Sequence, residues 1–183
     1  FAGAIRRLKC TARNHLESCD AALLTDKSKS AAGTAPFQQQ AGNPVKAPDL
    51  PDNEQARLLA LRQLDILDTP TEERFDRLAR MARRLFDAPI ALVTLIDQNR
   101  QWFKACSAPD GYDNPEEVAR EITFCGHTIA QEEILVIPDA LADWRFADNP
   151  MVAGPPHIRF YAGCTVTDGN NHNVGTICIL DLT

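Results

Sequence analysis

Hydrophobic and polar positions change their period along the chain, and each change marks an element. Over residues 54–68, Leu58, Leu61, Leu64 and Leu67, widened by Leu59 and Ile66, form a broad apolar stripe among strong helix formers. Such a stripe predicts a helix that packs on a sheet or on the same helix of a second copy. A second helix is marked by Thr69 as N-cap, Pro70 at the first helical position and Glu72 completing a capping box. Phe75, Leu78, Ala79, Ala82, Leu85 and Phe86 then fall on one face. Pro89 stops this helix, because the residue before a proline is pushed out of the α region. Strand patterns follow. The branched run Ile90–Ile96 predicts a buried strand, 97–100 a turn, and 101–106 a strand pairing back antiparallel. Residues 107–121 read as a polar loop, 122–131 as a short helix, 135–140 as a strand and 141–159 as a long, partly helical connection. Two more strands, 161–167 and 173–182, flank the hairpin turn Asp168-Gly169-Asn170-Asn171.

This order predicts an α+β fold with a central antiparallel sheet of about five to six strands, helices on one face, and a ligand cleft under the connections on the other. The N-terminal part differs. Ile5, Leu8, Ala12 and Leu16 recur at helical spacing among basic residues, but Glu17 and Asp20 interrupt them, which suits a loosely ordered or partner-dependent segment better than a targeting peptide. Residues 25–52 are rich in Ser, Ala, Gln, Gly and Pro with Phe37 as their one aromatic, the composition of a linker. The chain therefore divides into a poorly ordered extension, 1–52, and a folded domain, 53–183. It begins at Phe1 and stops at Thr183, just beyond a strand-like run, so both ends read as cuts in a longer protein.

Charge narrows the partners. The net charge is −6, and it is unevenly spread: residues 1–52 carry seven basic and five acidic side chains, residues 53–183 twelve and twenty. An acidic domain repels phosphate backbones, so no nucleic-acid partner is expected. No stretch reaches the roughly 18 apolar residues that span a bilayer, so no membrane segment and a cytoplasmic location are expected. The six cysteines, at positions 10, 19, 106, 125, 164 and 178, form no CxxC pair. They read as reduced thiols, with Cys164 and Cys178 buried in strand-like runs. No phosphate-binding loop, dinucleotide glycine motif, zinc-protease helix or nucleophile elbow is present.

The succession ERFDRLARMARRLFDAPIALVTLID, RQWFKA, ITFCGHTI, LVIPDALADWRFADNPMVAGPPHIRFYAG and VGTICILD resembles bacterial GAF domains, of the GAF/PAS-like class, especially those N-terminal to diguanylate cyclase, histidine kinase or phosphatase modules. It covers about residues 54–182. The run 136–163 is the most specific part, because no regular fold demands its mix of proline, aspartate and aromatic residues. The resemblance implies a six-stranded antiparallel sheet with helices on one side, a ligand cleft on the other, dimerisation through terminal helices, and a final helix missing after Thr183. It implies a small-molecule-sensing regulatory domain, not itself an enzyme. Such a domain passes ligand or redox state to an effector outside this chain; the sequence names neither ligand nor cofactor. Two other readings stay open. One is a degenerate module acting only in dimerisation, favoured by the leucine-rich first helix. The other is a small thiol reductase of the free methionine sulfoxide reductase type, using Cys125 or Cys106, although that group's local cysteine sequence is not reproduced. Bilin attachment in the family uses Cys followed directly by His; here Gly126 intervenes.

Candidate site residues follow. Phe124, Cys125 and His127 lie in one short segment. Cys and His two apart suit a metal or a nucleophile–base pair, but no further ligand falls at a usual spacing. Cys125 thus reads foremost as a pocket-wall or core residue, with neither a metal nor a catalytic role assigned. Asp139, Arg145 and Phe146 come from the stretch over the cleft. Arg145 and Arg159 are suited to gripping an anionic ligand bidentately, the alternative being that Arg145 pairs with Asp143 or Asp148 to fix the loop and Arg159 serves a like structural role. Phe146, Phe160 and Tyr161 are candidates to stack on a ring, the alternative being ordinary core packing, with Tyr161 opening a strand where aromatics are favoured anyway.

Overall fold

The computed structural model describes residues 45–183, so the predicted helix over 5–24 and most of the predicted linker lie outside the described residues. Strand β1 (Ile90–Ile96) is buried at all seven positions, which demands cover on both faces. It pairs antiparallel with β2 (Arg100–Ser107) on one side and β6 (Asn173–Asp181) on the other. β2 pairs with β3 (Glu117–Ala119), β6 with β5 (Phe160–Thr167), and β5 with β4 (Leu135–Ile137), all antiparallel. The result is the expected antiparallel sheet, with six strands in the order β3-β2-β1-β6-β5-β4. The reading of 107–121 as loop is corrected by β3. This edge strand has three residues, too few to leave a period.

Two helices cover one face. Leu61 of α1 (Glu54–Gln63) packs with Leu95 and Val174, and Ala79 of α2 (Glu73–Phe86) packs with Val93 and Ala105. The other face carries Ile90, Leu92, Ile96, Cys178 and Leu180. These lie under α3 (Phe124–Ile129) and the connection 138–159, which contains the short α4 (Pro150–Ala153). A bulge aims β2: Val93 faces Ala105 while Thr94 faces Phe103, leaving Lys104 as the extra residue. Lys104 and Ala105 therefore both serve the helical face, and Phe103 and Cys106 both pack toward the opposite one.

Two local signals are overruled, one of them by a buried cation. The first helix was expected to reach 68 and ends at Gln63. Asp65 and Asp68 adopt left-handed backbone (φ 50° and 55°), turning Ile66 and Leu67 back onto the cluster around Leu61. The second helix starts at Glu73 with no side-chain cap, so Thr69 and Glu72 do not form the expected box. Lys104 claims them. Its ammonium is buried and finds the Thr69 hydroxyl, the Pro70 carbonyl at 3.0 Å and the Glu72 carboxylate at 2.8 Å. An unpaired buried charge costs several kcal/mol, more than a cap worth about 1 kcal/mol.

A second cluster ties α1 to the sheet. Arg57 is fully buried; it donates to the Ile96 carbonyl and to both Glu54 oxygens at 2.9 and 2.8 Å. Arg120, in a single 3₁₀ turn (Arg120–Ile122), donates to the same carboxylate and to the Asp97 carbonyl at 3.3 Å. Burial pushes Glu54 up, but the bonds from Arg57 and Arg120 outweigh it and hold the carboxyl down at about 2. Glu54 thus stabilises the fold fully above its ordinary 4.5, and that contribution is lost as the pH falls toward about 2. Glu54→Gln is expected to cost about 3 kcal/mol near neutral pH by stranding buried Arg57. In urea titrations at a series of pH values, the gap between wild type and variant closes as the pH drops through that window. A gap that stays constant with pH contradicts this assignment.

Candidate functional site

Between the open sheet face and its covering connections lies a cavity of about 500 Å³. Leu92, Cys178 and Leu180 form its floor, and Phe124, Tyr161 and Ile158 line its sides. The α3 side is rigidly placed. All six residues of this helix are buried, and Thr123 caps it by accepting from the Gly126 amide at 3.0 Å while donating to the Arg120 carbonyl at 2.9 Å. Gly126 is required by close approach: a Cβ there sits 2.8 Å from Pro48 Cγ and 3.1 Å from the Arg120 carbonyl oxygen. Phe124 lies between two rings, 4.2 Å from Phe146 and 5.1 Å from Tyr161. The Tyr161 hydroxyl reaches Thr128 Oγ1 at 2.5 Å and Cys125 Sγ at 3.5 Å. On the far side Asn149 is buried, donates to the Ile122 carbonyl at 2.7 Å and accepts from the Met151 amide, which locks α4 over the sheet.

The cavity is mainly apolar but not featureless. Among the described residues, four buried side-chain polar atoms have no hydrogen-bond partner. Two of them, Gln101 Oε1 and Asn114 Oδ1, belong to residues of the cavity wall. Asn114 Nδ2 donates to the Pro115 carbonyl at 3.0 Å, so its oxygen is the free end. A buried acceptor without a donor costs on the order of 1–3 kcal/mol.

Two thiols face each other in the same wall. Cys125 Sγ and Cys178 Sγ are 3.7 Å apart, both side chains are buried, and both cysteines are free. Burial alone pushes Cys125 up, but hydrogen bonds from Cys178, Thr176, Tyr161 and Thr94 outweigh it and bring this thiol below the ordinary range. The bond to Cys125, then burial, drives Cys178 the other way. Cys164, expected to be buried, is only half-buried, because its side of β5 has less cover. Burial raises the Cys106 and Cys164 thiols.

The sequence-predicted residues separate into groups. Phe124, Cys125 and Tyr161 line the cavity, and Phe146 is buried behind Phe124. His127 and Arg145 instead face a second, polar cavity of about 720 Å³ bounded also by Lys46, Asp49 and Asn173. His127 Nε2 donates to the Lys46 carbonyl at 3.0 Å, fastening the segment before α1 to α3. Burial lowers the His127 pKa, which keeps the ring neutral. Arg145 is clamped by Asp143 at 2.9 and 2.6 Å. Arg159 donates to the Val152 and Ile158 carbonyls at 2.9 and 3.1 Å. Asp139 accepts from the Leu141 amide at 2.9 Å in an exposed turn, and Phe160 is buried outside the cavity wall. Gln101, Asn114, Thr123 and Cys178 also line the cavity and were not among the expected residues. For Gln101 a signal existed: a polar residue two positions before Phe103, on a strand face that is otherwise apolar.

Residues 70–183 match the family model described as GAF domain. The chain belongs to the GAF domain family. Among curated proteins, the cyclic di-GMP phosphodiesterase PA2567 of Pseudomonas aeruginosa is 36% identical over 137 residues, covering 75% of this chain and 23% of that protein. This GAF chain thus spans under a quarter of the length of the curated relative it matches. Among solved structures it is similar to the GAF domain from a phosphoenolpyruvate-protein phosphotransferase of Coxiella burnetii, with 15% identity, TM-score 0.49, and coverage of 72% of this chain and 80% of that one. The type II free methionine-R-sulfoxide reductase from Thermoplasma acidophilum is similar at 9% identity and TM-score 0.47, covering 69% and 77%. At these scores neither structural likeness carries a functional argument. Within this GAF domain, no helix of the described residues is long and apolar enough to cross a membrane, and no group of three or more His, Cys, Asp or Glu among them is placed to hold a metal ion.

The wall itself is testable. A Cβ on Gly163 falls 2.1 Å from the Tyr161 hydroxyl, so Gly163→Ala must displace that ring from its place beside Phe124. The expected result is a loss of about 1–3 kcal/mol, as for an overpacked core, with a changed near-ultraviolet circular dichroism signal. An unchanged melting temperature and spectrum contradict the packing described.

Proposed function

We propose that this GAF domain is the regulatory input module of a signalling protein. It takes into the 500 Å³ cavity a small, largely apolar molecule bearing hydrogen-bond donors. The observation carrying this reading is the enclosed, mainly apolar cavity beside the Phe124 and Tyr161 rings, with the amide side chains of Gln101 and Asn114 among its lining residues. A ligand biases the molecule only through different affinity for two arrangements. Here the route runs from the sheet through α1, which Arg57 bonds to the end of β1. The effector lies outside this chain and acts in cyclic di-GMP turnover, a reading supported by the relative named as a phosphodiesterase. The chain's own role is sensing in the cytoplasm, not catalysis. Thermal-shift screening of the chain against small apolar metabolites with N–H donors is the test. A hit at ~100 times its Kd adds about 2.7 kcal/mol of stability. Val118→Trp, which fills the cavity, abolishes the shift, and Gln101→Leu weakens binding about tenfold. A hit that Val118→Trp leaves unchanged, or a panel with no hit, counts against the reading.

A specific observation also favours self-association. Leu78, Met81 and Leu85 of α2 recur on one face, and each is about half exposed. Leu61, by contrast, is fully buried against the sheet, so a charge there unfolds the domain and reports nothing on association. If α2 meets a second copy, Leu78→Glu with Leu85→Glu gives a monomer in sedimentation, whereas wild type shows a concentration-dependent dimer. A wild type that sediments as a monomer at every concentration rules the dimer out.

A further inference from the structure

We propose that Cys125 and Cys178 form a redox pair that a hydroperoxide entering the cavity converts to a disulfide. The two sulfurs approach to 3.7 Å across the gap between α3 and β6, although the residues are 53 positions apart. Both residues belong to the cavity wall, so a small oxidant that enters the cavity meets them there. The surroundings are those of an active thiol rather than an inert core thiol. Thr94 and Thr176 place their hydroxyls 2.8 Å apart on the sheet beneath, and the Tyr161 hydroxyl approaches Cys125 from the side. The Tyr161 hydroxyl donates to Cys125 Sγ at 3.5 Å, a bond that favours the thiolate on Cys125, and the lowered Cys125 and raised Cys178 thiols run in the same direction.

The chemistry balances with one oxidant. The Cys125 thiolate attacks one oxygen of the hydroperoxide, the O–O bond breaks, and the leaving alkoxide takes the proton that Cys125 had released and departs as the alcohol. Cys125 is left as the sulfenic acid. The Cys178 sulfur then attacks the Cys125 sulfur; an S–S bond forms, the S–O bond breaks, and hydroxide leaves as water with the Cys178 proton. Two thiols and one hydroperoxide give one disulfide, one alcohol and one water. The sulfurs close from 3.7 Å to a bond of about 2.05 Å, drawing the first turn of α3 toward β6. Phe124 adjoins Cys125, so its stack with Phe146 and Tyr161 feels that movement directly. This inference is independent of the small-ligand reading, and neither depends on the other's success.

The test uses the intact 183-residue chain. It is exposed to hydrogen peroxide, denatured in the presence of iodoacetamide, digested and mapped by mass spectrometry. The expected result is a Cys125–Cys178 linked peptide, lighter by two hydrogens than the sum of its parts, which dithiothreitol separates. In Cys178→Ser, dimedone labels Cys125; in Cys125→Ser, dimedone labels neither position. Recovery of Cys125 and Cys178 only as alkylated thiols, or oxidation confined to the other cysteines, overturns the proposal. Because the linked peptide is sought in the wild-type chain, the result does not depend on either variant folding.

Discussion

The stack of Phe124 between Phe146 and Tyr161 holds together three parts of the chain that have no backbone pairing with one another: the start of α3, the connection 138–159 and the beginning of β5. A sheet covered by helices on one face must have its second face dried by something else, and here irregular chain does it. Such chain brings polar backbone groups that need partners. Asn149 satisfies the Ile122 carbonyl, the Ala140 amide donates to the Arg159 carbonyl, and Arg159 occupies the carbonyls of Val152 and Ile158. With those demands met, the aromatic stack props the connection away from the sheet, and the space left beneath it is the cavity.

Charge does comparable work on the helical face. Arg57, Lys104 and Arg120 are all buried, and each bridges elements distant in sequence: α1 to the end of β1, the α1–α2 connection to β2, and the 3₁₀ turn to α1. Buried ion pairs contribute little net stability over apolar packing, but they penalise any arrangement that separates the partners. This explains how short helices with little apolar depth keep a single placement.

The cavity combines two kinds of chemistry in one enclosure. Its acceptors, Gln101 and Asn114, sit on the β2–β3 side, and its thiols, Cys125 and Cys178, sit where α3 meets β6. Residues that look most reactive in sequence are elsewhere and already engaged: Arg145 by Asp143, Arg159 by carbonyls, His127 by the Lys46 carbonyl. Arg145, with a carboxylate two positions away in Asp143, has its partner within its own loop.

Sequence by itself determined what depends on neighbours along the chain. The span of β1 was legible to the residue, because a run of branched apolar side chains has one comfortable setting, and the Asp168 turn was legible because its carboxylate accepts from the amides of Asn170 and His172. The antiparallel α+β layout followed from hairpin spacing, and the family from the irregular run 136–163. Tertiary structure alone decided what depends on contacts across the fold. Thr69 had the chemistry of a cap, yet Lys104, 35 positions away, took its oxygen. Leu61 was as fit for a partner helix as for the sheet until Leu95 and Val174 met it. Gln101 and Asn114 became unpaired acceptors, and Cys125 and Cys178 became neighbours, only when the sheet closed, because a pattern along the chain records the period of each segment and carries no record of which distant segment will face it.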